Sequence, residues 1–113
     1  MTSNLVINKN IINTLGLKEA VVIGEMINLI YRSQLSEENY FEGKYWVNKT
    51  YKSWQEDIFP YFSEMTIKRI FTNLESIGIL LKKDNENKFD RTLNVTIDFE
   101  RLNEIVFAEK DKK

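Results

Sequence analysis

The chain contains no cysteine and no histidine. The first absence excludes disulfides, thiolate zinc sites and cysteine nucleophiles, and it fits a reducing cytoplasm. The second removes the commonest general base and the commonest metal ligand. No glycine-rich phosphate loop takes their place, and Asp84, Asp90 and Asp98 follow no fixed ligand spacing. The chain is therefore read as a non-enzyme that needs no metal and no cofactor. Long apolar runs are also missing: the longest, Ala20 to Tyr31, is broken by Glu25 and is too short to cross a bilayer. The N-terminus lacks the basic start, apolar run and small-residue cleavage site of a secretory signal. The expected location is the cytoplasm, with no membrane partner. One proline and four glycines in 113 residues argue against a disordered or fibrous chain.

What is present is enough for one domain with one core, since 42% of the residues are hydrophobic and 12% aromatic. Leu5, Ile7, Ile11, Ile12 and Leu15 read as a short extended lead-in and a short helix ending at Gly16. Leu17 to Leu35 is the clearest helix. It carries one stripe of Ala20, Ile23, Ile27 and Ile30 and another of Val22, Met26 and Leu29, so it is either a central core helix or partly a subunit interface. Ser36 to Tyr45 is a polar loop. Residues 45–49, Tyr-Trp-Val-Asn-Lys, alternate as a short strand, anchored by Trp46 and Val47. Thr50 then caps a short helix with Trp54 and Ile58 on its apolar face, ended by Pro60.

Ser63 caps the next helix, and Glu64 suits the positive end of its dipole. Only "FPYFSE" separates Ile58 from Met65, a turn short enough for a helix-turn-helix. At about 100° per residue, Ile67, Ile70, Phe71, Leu74 and Ile77 share one side. The other side holds Met65, Lys68, Arg69, Thr72 and Ser76. Arginine and lysine donate to phosphate and guanine, and threonine contacts phosphate or a thymine methyl, so this face suits DNA. Met65 has a second reading, packing on Trp54 or on the Phe59–Phe62 turn. Gly78 closes the helix. Two β-type runs follow, with a tip near Asn85 to Asn87; Leu93, Val95, Ile97 and Phe99 alternate and should bury one face. In this hairpin Lys88 and Arg91 are the expected phosphate contacts, Arg91 having an ion pair with Asp84 or Asp90 as its other reading. A last helix is expected through Phe107, with Leu102, Ile105 and Val106 on one side.

This order of elements is a winged helix-turn-helix: mainly α with a small β-hairpin. It divides the single domain 1–113 into N-terminal helices and loop (1–45), strand, helix-turn-helix and wing (46–99), and terminal helix and tail (100–113). The run "YWVNKTYKSWQEDIFPYFSEMTIKRIFTNLESIGILLK" with the later "KFDRTLNVTID" resembles the N-terminal DNA-binding domain of replication initiator, or replisome-organiser, proteins of phages and plasmids of Gram-positive bacteria. "LGLKEAVVIGEMINLIYRS" is similar to that family's preceding helix, so the resemblance covers roughly residues 14–99. It implies duplex DNA binding through helix 63–77 and wing 82–92, in replication initiation or transcription regulation. Members usually continue into a helicase-recruiting domain, which is not expected of these 113 residues.

The net charge of -1 is unusual for a DNA reader. From Thr66 to Arg91 six basic residues face four acidic ones, while from Met1 to Tyr45 four face five. A single copy should bind weakly, so a homodimer through helix 18–35 or the C-terminal helix is expected to add contacts. The alternative is a small phage-type inhibitor or adaptor, for example an anti-CRISPR, that binds a host protein through an acidic surface of Glu37, Glu38, Glu42, Glu56 and Asp57.

Overall fold

A computed structural model describes residues 9–84 and 91–106. The chain runs through helices α1 (Lys9–Leu15) and α2 (Leu17–Ser36), then a miniature hairpin of β1 (Tyr40–Phe41) and β2 (Lys44–Tyr45). Strand β3 (Val47–Lys49) leads into α3 (Tyr51–Ser53) and a π-helical turn, Trp54–Ile58; helix α4 (Glu64–Ser76), strands β4 (Leu80–Asp84) and β5 (Leu93–Ile97), and helix α5 (Phe99–Val106) complete it. The protein is thus mainly helical with a small antiparallel sheet.

Helix α2 is central because its apolar residues cover more than half its circumference: Ala20, Val22, Ile23, Met26 and Ile30 are buried. Against it pack the inner faces of α4 (Ile67, Ile70, Phe71, Leu74) and of the sheet (Val47, Leu80, Val95, Ile97), with Trp54 and Phe59 filling the space between. The sheet order is β3-β5-β4, with Val47 opposite Val95 and Leu80 opposite Ile97. The expected hairpin is therefore widened by a third strand, and β5 lies in the middle.

Four expectations need correction. The loop 36–45 contains a hairpin, because Glu42 and Gly43 both take positive φ (53° and 76°), as a two-residue type I′ turn requires. Trp46 then stacks on Phe41 at 4.9 Å and donates its indole N–H to the Phe41 carbonyl at 2.9 Å. The helix capped by Thr50 widens after one turn: the Phe59 N–H reaches back five residues to the Trp54 carbonyl at 2.8 Å. Glu25, whose place between the two apolar stripes of the helix reads as exposed in the sequence, is half-buried. Phe99 does not extend the buried face of β5; it is the first residue of α5 and is exposed, because the Asp98 side chain accepts the Arg101 N–H and starts the helix there. The lead-in at Leu5 and Ile7, the hairpin tip, Lys88 and Phe107 lie outside the described residues.

Candidate nucleic-acid interface

Helix α4 is fixed at both ends by side-chain and backbone chemistry visible in the sequence. Ser63 is extended (φ -78°, ψ 160°), and its hydroxyl oxygen accepts the Thr66 N–H at 3.1 Å, satisfying one orphan donor of the first turn. At the other end Gly78 sits at φ 86°; its N–H bonds the Glu75 carbonyl and the Ile79 N–H bonds the Leu74 carbonyl, a Schellman closure. The Arg101 guanidinium then donates to the Ile77 carbonyl at 3.0 Å and lies over Gly78, where an added Cβ would meet its Nε at 3.3 Å. Four buried residues lock the inner face, so the rotation of α4 about its axis is set by packing.

That rotation brings Met65, Lys68, Arg69, Thr72 and Ser76 together on the outside, all exposed. Met65 is 78% exposed, which removes its packing alternative. Lys68 extends over the Tyr51 ring with its ammonium 5.2 Å from the ring centroid, a cation–π contact that orders the side chain from below. The Ser76 hydroxyl is turned back onto its own helix, donating to the Asn73 carbonyl at 2.7 Å. Arg91, also exposed, stands two residues before β5. The side chain of Asp84 and all of Asp90, the partners in the ion-pair reading of Arg91, lie outside the described residues.

Asn73 joins this face although the sequence reading did not select it, and Tyr61 stands exposed in the turn before the helix. Asn73 is exposed beside Arg69, one turn further along α4. Its position follows from the same 100° rotation, and its amide can donate to and accept from a base edge. Tyr61, in the turn before α4, is 60% exposed and packs edge-on to Phe62 at 4.9 Å. Partial burial, and then the nearby Glu25 carboxylate, push its phenol above the usual tyrosine range. Nothing in the run "FPYF" distinguishes this outward ring from its two aromatic neighbours, buried Phe59 and half-buried Phe62.

Among the described residues, the two lysines of β4 already have carboxylate neighbours. Lys82 lies 3.8 Å from Glu75, and Lys83 pairs with Glu42 of the β1–β2 turn while lying over the Phe41 ring. The second pair fastens the small hairpin to the edge of the sheet. Among the described residues no cluster of three acidic side chains could hold a metal ion, and no helix is long and apolar enough to cross a membrane. The chain matches no protein-family model, no curated protein and no solved structure.

Proposed function

We propose that the chain is a winged helix-turn-helix protein of phage or plasmid type that binds duplex DNA, laying helix 63–77 in the major groove and wing 82–92 along the backbone. The reading rests on one observation: α4 is capped, rotationally locked, and turns Met65, Lys68, Arg69, Thr72 and Ser76 outward directly after a tight turn and directly before a hairpin. The N-terminal residues of such a helix enter the groove first, which places Met65, Lys68 and Arg69 deepest, the two cations against the flanking phosphates, and leaves the rest of the backbone to Thr72, Ser76, Lys88 and Arg91. The biological setting, replication initiation or transcription regulation, comes from the resemblance to initiator proteins.

The acidic-surface alternative is the weaker reading. Of its five carboxylates, Glu42 is paired with Lys83 and Asp57 accepts the Ser53 hydroxyl at 2.9 Å, so two are engaged within the chain. Fluorescence anisotropy on labelled duplexes at about 50 mM salt separates the two, because phosphate-driven binding is strongest there. Binding that weakens steeply with added salt supports the DNA reading. No binding to any duplex at that salt overturns it.

A further inference from the structure

Helix α2 has a second face. Opposite its buried residues, Leu17, Val21, Gly24, Asn28, Tyr31 and Leu35 recur at alternating intervals of four and three. At about 100° per residue the six fall in an arc of roughly 80°, a single seam along the helix. Leu17, Tyr31 and Leu35 are 57%, 56% and 67% exposed, and the three between them are half-buried. Helix α5 offers no such seam: Leu102 and Val106 are buried, and Phe99 is its one large exposed apolar residue.

We propose that α2 is the contact helix of a parallel homodimer, the seam of one copy packing on the same seam of a second. In heptad terms Val21, Asn28 and Leu35 take a positions and Leu17, Gly24 and Tyr31 take d positions. The occupant follows from Asn28: in a parallel pair it meets its own copy at the same level, and the two amides bond each other. A purely apolar partner would leave that amide desolvated and unpaired. The orientation follows from the flanking charges. Lys18, Glu25 and Arg32 repeat every seven residues along one edge of the seam, while on the other edge, which carries no charge, Ala20 is buried, Ile27 is half-buried against the core and Gln34 is exposed. An antiparallel pair sets like edges together, Lys18 against Arg32 and Glu25 against Glu25. A parallel pair sets each charged edge against an uncharged one. A helix of 20 residues is about 30 Å long, so the seam is smaller than the roughly 800 Å² per partner of a standard stable complex and the expected dimer is a weak one.

The proposal stands independently of the DNA reading, and its tests contain no nucleic acid. Sedimentation equilibrium from about 1 to about 300 μM brackets micromolar association. Mass rising from one chain toward two is expected for the wild type, with Tyr31→Glu and Leu35→Glu held at one chain and unchanged in circular dichroism. Because the chain has no cysteine, Asn28→Cys introduces the only thiol, and mild oxidation should convert it to a disulfide dimer far faster than Glu56→Cys. A wild type that stays monomeric throughout, a dimer indifferent to both glutamate variants, or cross-linking at position 28 no faster than at 56 overturns the proposal. Preferential cross-linking of a Gly24→Cys chain to an Asn28→Cys chain overturns the parallel arrangement in favour of the antiparallel one.

Discussion

Lys68 and Arg69 are exposed, so what they do for binding separates cleanly from what they do for folding. Replacing both with alanine should lower the salt slope of duplex affinity by about two, one for each lost phosphate-type contact, while stability changes by no more than about 1 kcal/mol, the loss of the Lys68–Tyr51 contact included. Anisotropy titrations at several salt concentrations, with a thermal melt alongside, check both halves; an unaltered slope removes the pair from the interface. Tyr61 makes a different kind of statement. Its phenol is raised above the ordinary 10.0 by burial and by Glu25, so the folded state holds the proton more tightly than the unfolded chain. The stability it contributes is complete below about pH 10 and disappears as the pH rises through the folded value. More than half of the ring is exposed, so the effect is slight. An ultraviolet titration compared with Tyr61→Phe should find this phenol ionising above the usual range, and ionisation at or below it would contradict the burial argument.

At the level of elements, the ends of α4 carry the most testable content. Ser63→Ala removes the hydroxyl that holds the Thr66 N–H and should cost about 1 kcal/mol. Gly78→Ala forces a Cβ into the left-handed region and against Arg101, and should cost about 1 kcal/mol or more. Both are read from denaturant midpoints, and a neutral Gly78→Ala would mean that the closure has shifted its register. These ends were legible because capping is local: serine before the apolar run and glycine after it act through their nearest neighbours. The outer face of α4 was legible for the same reason, as a rotation of known pitch. The π turn and the β1–β2 hairpin were not, because both depend on distant partners. Trp54 is drawn into edge-on contact with Phe71 of α4, and the Tyr45 carbonyl at the end of the small hairpin accepts the Thr96 hydroxyl across 51 positions. Phe99 was misplaced because strict alternation continues through it, and only the cap at Asp98 ends the strand.

For the whole molecule, a net charge of -1 leaves little long-range attraction to DNA, so the proposed binding has to draw its affinity from a few placed cations. With Lys68, Arg69, Lys88 and Arg91 as the phosphate-facing set, one copy should give a log–log salt slope of about -3.6 and two copies on adjacent half-sites about -7. A slope near zero in the wild type would leave binding without an electrostatic origin. The order of strands has a further consequence, for the birth of the protein. β5 is central to the sheet yet last of its strands in the chain, and both Val47 and Leu80 wait for it. During translation neither β3 nor β4 has a strand neighbour until residue 97 has cleared the ribosome tunnel, so nascent chains stalled before that point should be cut by protease within β3 and β4 far faster than the released protein.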